Sequence, residues 1–212
     1  MTAACFTDCL ADLRHRLARP LPGRAAQFRM APRYRQDAAL ADVRGKPCRE
    51  AAVLALLHPM ADGVPALVLT VRPPDLRHHG GQVAFPGGRR EPGESLEATA
   101  LREAHEEIGL PPEQVELLGA LTPLYIPPSN FCVYPFVGAM AVPPVLYPAD
   151  EEVAEILHVP LPLLQAADTR RVESWRLHGR EVEVPFFALA GHKVWGATAM
   201  MLSELLALFE AA

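Results

Sequence analysis

Long hydrophobic runs are missing from this chain of 212 residues. The longest, such as Ala51–Leu57, fall well short of the ~20 apolar residues a membrane-crossing helix needs. The amino-terminal stretch lacks the apolar segment of a secretory leader, because Asp8, Asp12 and Arg14 interrupt it. The opposite end closes on Phe209-Glu210-Ala211-Ala212, without a peroxisomal Ser-Lys-Leu. A basic surplus is lacking too. The net charge is −5, much of it from one glutamate-rich stretch, and this gives no broad cationic surface for nucleic acid. Cysteine is sparse: Cys5, Cys9, Cys48 and Cys132 are scattered and form no Cys-x-x-Cys pair. In a non-secreted chain they are expected as reduced thiols, not as disulfides or zinc ligands. His105-Glu106-Glu107 lacks the second histidine that completes a His-Glu-x-x-His zinc site, so His105 reads as a surface residue. There is no internal repeat and no separate second domain. What these absences leave is a cytoplasmic globular enzyme with no nucleic-acid or membrane partner.

Half of the residues are hydrophobic, enough for an ordinary core. Thr7 caps a helix over Asp8–Ala18, with Leu10, Leu13 and Leu17 on one face and Pro20 beyond its end. A polar, irregular arm runs on to about Glu50. Residues 1–50 are therefore expected as a helix and connecting arm packed on a domain spanning 51–212. Within that domain Ala51–His58 and Ala66–Arg72 read as a hairpin about the turn Ala61-Asp62-Gly63. Glu116–Leu121 and Phe131–Ala141 read as strands joined by a proline-rich loop over Leu124–Asn130, and Glu151–Val159 as another strand. A helix over Pro160–Ala167 comes next. Short strands at Val172–Trp175, Glu181–Val184 and Phe186–Ala190 precede a terminal helix whose Ala199, Leu202, Leu206 and Phe209 face inward.

The stretch from Gly88 to Leu110 carries the chemistry. It opens on a Gly87-Gly88 turn, passes a second turn at Pro92-Gly93, and forms an amphipathic helix that stops at Gly109 before Pro111 and Pro112. Leu101, Ala104 and Ile108 share one flank of that helix, while Glu103, Glu106 and Glu107 cluster on the other. Like charges at this spacing cost roughly 0.2–0.5 kcal/mol per pair in an isolated helix. A hard divalent cation removes that repulsion, and carboxylate oxygens suit Mg²⁺ or Mn²⁺. A merely solvated acidic face is the plain alternative.

The neighbouring residues weigh against that alternative. Gly88, Glu94, Arg102, Glu103, Glu106, Glu107, Gly109 and Leu110 fall at the intervals of the Nudix box, which the stretch resembles; one aliphatic position holds the smaller Ala104. Just upstream, Leu69-Thr70-Val71-Arg72-Pro73, Arg77, Gly81 and Phe85-Pro86-Gly87-Gly88 resemble the pre-box motif of the coenzyme A diphosphatase subfamily, with Val68 and Pro73 as departures. Weaker likenesses lie at Pro123–Gly138 and around Trp195.

The resemblance implies an α/β (α+β) Nudix fold: a mixed β-sheet sandwiched between helices, with the loop-helix-loop box and added terminal helices. By the same resemblance Glu103 and Glu107 are metal ligands one helical turn apart. Glu106 is a third, directly or through water, and the Gly88 carbonyl adds an oxygen for Mg²⁺ or Mn²⁺. Glu94, Arg102 and Gly109 take structural roles, the arginine orienting the carboxylates. The general base is Glu103 or a later carboxylate, among which Glu152 stands ahead of Glu151 and Glu155; the catalytic set is Glu103, Glu106 and Glu152. Arg72 and Arg77, on a glycine-containing loop, are expected to contact phosphates, since guanidinium forks match phosphate oxygens. The implied reaction is hydrolysis of coenzyme A to adenosine 3′,5′-bisphosphate and 4′-phosphopantetheine. Two rivals stay open: a Nudix hydrolase for ADP-ribose, NADH or a dinucleoside polyphosphate, and a non-catalytic nucleotide-binding module. A homodimer is left open as the assembly.

Overall fold

The computed structural model describes residues 6–75, 80–149, 151–177 and 179–210. Helix α1 (Phe6–Leu17) begins ahead of Thr7, because Phe6 is buried with Cys9, Leu10 and Leu13 and packing extends the helix past its expected cap. The arm that follows is not irregular. It is wound into α2 (Gly23–Gln27), single 3-10 turns at Phe28–Met30 and Arg33–Arg35, and α3 (Ala38–Ala41).

Strands β1 (Arg49–Pro59), β2 (Pro65–Val71), β3 (Val83–Ala84) and β4 (Gly87–Arg89) precede helix α4 (Leu96–Ile108). Next come β5 (Glu116–Ala120), β6 (Leu124–Ile126), β7 (Phe131–Ala139) and β8 (Glu155–Pro160). The chain ends through α5 (Leu161–Gln165), β9 (Arg170–Leu177), β10 (Arg180–Leu189), β11 (His192–Trp195) and α6 (Gly196–Ala207). Among the described residues β1 to β8 form one mixed sheet with β1 at its centre, and β9, β10 and β11 form a second, antiparallel one. The long pairing of β1 with β7 is parallel, from Arg49 opposite Phe131 to Leu57 opposite Ala139.

Both faces of β1 are covered, so it reads as a continuous apolar run and not as an alternation. Ala52, Leu54 and Leu56 pack with Ala100, Ala104 and Ile108 of α4. Ala51, Ala55 and Leu57 belong to the opposite core, which includes Leu10 and Leu13 of α1 and Leu202 and Leu206 of α6. The α/β sandwich expected from the sequence is the observed architecture. No helix among the described residues is long and apolar enough to cross a membrane.

Several local expectations are corrected. Gly87-Gly88 is not a turn: it is strand β4, laid antiparallel on β1 with Gly88 opposite Ala52. The proline-rich loop contains β6, and the strand expected from Glu151 begins at Glu155. Cys48 and Cys132 are joined in a disulfide across an 84-residue separation. The parallel β1–β7 register places Glu50 opposite Cys132, and this brings the two Cα atoms to 5.7 Å, within bridging reach. Cys9 is a free thiol, pushed up to about 11 by burial; Cys5 lies outside the described residues.

One polar anchor had no sequence signal. Glu204, fully buried in α6, accepts hydrogen bonds from Gly23 N (3.0 Å), Gln27 Nε2 (2.8 Å) and Thr122 Oγ1 (2.6 Å). It ties the amino-terminal arm to the loop before β6.

Candidate active site

The carboxylates are positioned by how α4 is ended and seated. Ser95 Oγ accepts from Ala98 N at 3.1 Å, a side-chain N-cap. At the far end Gly109 adopts the left-handed conformation, φ 67°, and donates to the His105 carbonyl at 2.9 Å. With Ala104 and Ile108 buried against the sheet, the three glutamates do not share one solvated flank. Glu107 is 7% exposed, and the side chains of Glu103 and Glu106 are 17% and 53% exposed. A solvated acidic face therefore describes Glu106 alone.

Strand β4 passes close beneath this helix, and its glycines make that approach feasible. A Cβ on Gly87 would lie 2.3 Å from the Ala52 carbonyl oxygen. One on Gly88 would lie 2.3 Å from Glu103 Oε2, so the Glu103 carboxylate fills the space a side chain would take. Gly87 N donates to Glu107 Oε2 at 3.1 Å, which gives this buried carboxylate a backbone partner.

Arg102 gathers the cluster. Its Nε donates to Glu94 Oε1 at 2.9 Å, and one terminal nitrogen donates to Glu103 Oε1 at 2.9 Å and to Glu106 Oε2 at 2.8 Å. The other terminal nitrogen reaches the Arg89 carbonyl at 3.1 Å, so helix and strand are tied together. The guanidinium holds the Glu94 carboxyl at about 2, assisted by Thr99 Oγ1. Glu103 is raised instead: its burial outweighs Arg102, and the charges of Glu106 and Glu152 add to the effect.

Arg72 sits where the carboxylates meet a cavity. It follows β2, its amide donates to the Gln82 carbonyl and its carbonyl accepts from Gly81, each at 3.0 Å. That pairing fixes the backbone before Pro73. Arg72 Nη2 donates to Glu152 Oε2 at 2.8 Å, while its buried Nε has no hydrogen-bond partner among the described residues. Of the candidate bases, Glu152 thus lies by Arg72 and acts on Glu103, whereas Glu155 faces His192 Nε2 at 3.3 Å. Glu151 is exposed in the turn before β8. Arg77 lies outside the described residues. The cavity on which Arg72 opens has a volume of about 790 Å³ and reaches Arg35 in the arm, Tyr125 and Ser129 around β6, and Trp195–Thr198 at the start of α6.

A NUDIX domain model matches residues 49–177. The chain belongs to the NUDIX family. It is 48% identical over 116 residues to an uncharacterized Nudix hydrolase NudL of Pectobacterium atrosepticum, an alignment covering 53% of this chain and 58% of that protein. The NudL of Photorhabdus laumondii is 39% identical over 158 residues, covering 74% of this chain and 83% of its own length. A solved MutT/nudix family protein from Enterococcus faecalis shares the fold, with a TM-score of 0.51 at 18% identity over 85% of this chain and 71% of that one.

In the Nudix box of this chain, Glu103, Glu106 and Glu107 offer only hard carboxylate oxygens, and the missing side chain of Gly88 makes room for the Glu103 carboxylate against β4. The donor chemistry fits a divalent cation. Among the described residues, no three acidic, histidine or cysteine side chains are already closed into a metal cage. Arg102 draws Glu103 and Glu106 to itself, and Glu107 turns to Gly87. Among the residues lining this cavity, sequence reasoning did not single out Arg35, because one of several arginines in a polar arm carries no motif.

Proposed function

We propose that this Nudix chain hydrolyses the diphosphate bond of coenzyme A or its derivatives, releasing adenosine 3′,5′-bisphosphate and a 4′-phosphopantetheine. The observation that carries this reading is the position of Arg72, at once 2.8 Å from Glu152 beside the carboxylate cluster and in the wall of a roomy cavity. A diphosphate bound near Glu103 has one cationic fork for its oxygens and one large space for an organic arm. The pre-box residues from Leu69 to Gly88 favour coenzyme A as the source of that arm.

Glu103, Glu106, Glu107 and the Gly88 carbonyl would hold Mg²⁺ or Mn²⁺, which when bound supplies charge neutralisation on the anhydride and a more acidic water. The remaining work falls to the chain. Arg102 and Glu94 keep the carboxylates in register, and Arg72 orients a phosphate. Glu152 takes the proton as the water oxygen adds to phosphorus and the bridging oxygen leaves.

The test is to incubate the purified chain and Mg²⁺ with coenzyme A, ADP-ribose and NADH and to identify products by mass. Coenzyme A should be cleaved to the two named products; ADP-ribose cleaved with coenzyme A intact sinks the substrate assignment. Glu107→Gln should lower turnover by about 100-fold or more, as loss of a group acting on the reaction does. A nucleotide-binding module without catalysis would show no turnover in either protein.

A further inference from the structure

Arg35 is an anomaly among the sheltered arginines. Arg24, Arg72, Arg90 and Arg102 are each paired with a carboxylate. Arg35 is half-buried at the end of a 3-10 turn, and its one hydrogen bond among the described residues is a long one, 3.3 Å, to the Tyr125 carbonyl. Burial lowers its pKa, as it does for a cation removed from water without an anion beside it. An uncompensated guanidinium costs stability unless something else meets it.

Its surroundings say what that is. Arg35 lines the same cavity as Arg72, together with Tyr34, Tyr125 and Trp195. Tyr34 is 54% exposed, a large ring left in solvent at the cavity. The cavity is also lined by Gly196, Ala197 and Thr198, the first turn of α6, whose amides have no capping side chain among the described residues. Flat rings, a five-donor fork and a helix start without a side-chain cap in one space suit a nucleobase with a phosphate close by.

We infer that this cavity receives the nucleotide end of the substrate, with Arg35 contacting a phosphate borne on the ribose and so selecting for it. The inference rests on the reading above for its choice of nucleotide. It assigns the amino-terminal arm, which lies ahead of the residues matched by the family model, a part in specificity.

The experiment is calorimetric titration of the full chain, in EDTA, with adenosine 3′,5′-bisphosphate and with adenosine 5′-monophosphate. The wild-type chain should bind the bisphosphate at least tenfold more tightly. Arg35→Met should cut that preference to under threefold while leaving the monophosphate affinity unchanged, and Arg35→Lys should keep part of it. A preference that survives Arg35→Met overturns the assignment, as does a wild-type chain that does not discriminate. So does Arg35-dependent binding of 4′-phosphopantetheine in place of the nucleotide, which would put the other arm of coenzyme A in the cavity. Because no turnover is read, a chain that cleaves no coenzyme A is still judged here. A chain that cleaves coenzyme A without favouring the bisphosphate keeps its activity and loses this subsite.

Discussion

A methyl group at position 88 would fall on the Glu103 carboxylate, 2.3 Å from Oε2, whereas one at position 87 would fall on the backbone oxygen of Ala52. The adjacent glycines therefore fail differently. Gly88→Ala displaces the end of a side chain that can swing away, so folding survives and geometry suffers. A displacement of about 1 Å at a reacting group costs on the order of 100-fold in rate. Gly88→Ala should thus lower kcat by about that factor with a thermal midpoint near wild type. Gly87→Ala, at φ 150° and with no mobile neighbour to yield, should cost stability of roughly 2–4 kcal/mol, seen in urea unfolding. Equal losses of stability in both variants would contradict this division.

At the scale of elements, the question is what keeps the arm on the domain. α2 carries little apolar surface of its own, with Ala26 and Gln27 its buried residues. Its attachment to α6 is polar: Glu204 takes Gly23 N and Gln27 Nε2, and Ser203 Oγ donates to the Ala26 carbonyl at 2.7 Å. Removing the Glu204 carboxylate strands several buried donors, each costing about 1–3 kcal/mol. Glu204→Ala should destabilise the chain by about 3 kcal/mol and speed amide exchange across residues 23–27. Unchanged exchange there would show that the arm is held by something else. Since Arg35 lies in the same arm, the variant should also weaken nucleotide binding.

Across the whole molecule, acid should loosen the fold in a window set by two histidines. His58, buried at the end of β1, and His158 of β8 meet with Nε2 and Nδ1 2.8 Å apart. His58 Nδ1 lies 2.9 Å from the Pro59 carbonyl, so it carries the proton, and Nε2 accepts from His158. Desolvation lowers both pKa values below the ordinary histidine value. As pH falls through about 6.5 the unfolded chain gains protons that the folded one refuses, so stability declines. The thermal midpoint should drop between pH 7 and pH 5, and drop less in His58→Gln, which has no proton to take up. Glu94, held at about 2, acts in a lower window: its contribution is lost as pH falls from the usual carboxylate range toward that value.

The residues of the box announced themselves because a motif is local: Glu94, Arg102, the glutamates and Gly109 lie within a few helical turns, and the chain order alone places them together. The central strand, the capped helix and the α/β class were legible for the same reason, since apolar periodicity and caps are short-range signals. What only the tertiary structure decided depends on partners distant along the chain. Gly87-Gly88 looked like a turn until β1 lay beside it, and Cys48 met Cys132 because parallel pairing aligned strands 84 residues apart. The sequence put Glu103, Glu106 and Glu107 on one helix flank, and only the packed sheet showed that Glu107 is buried while Glu106 stays exposed. Glu204 and Arg35 had no pattern at all, because burial of a charge is a property of the packed molecule and leaves no spacing in the sequence to read.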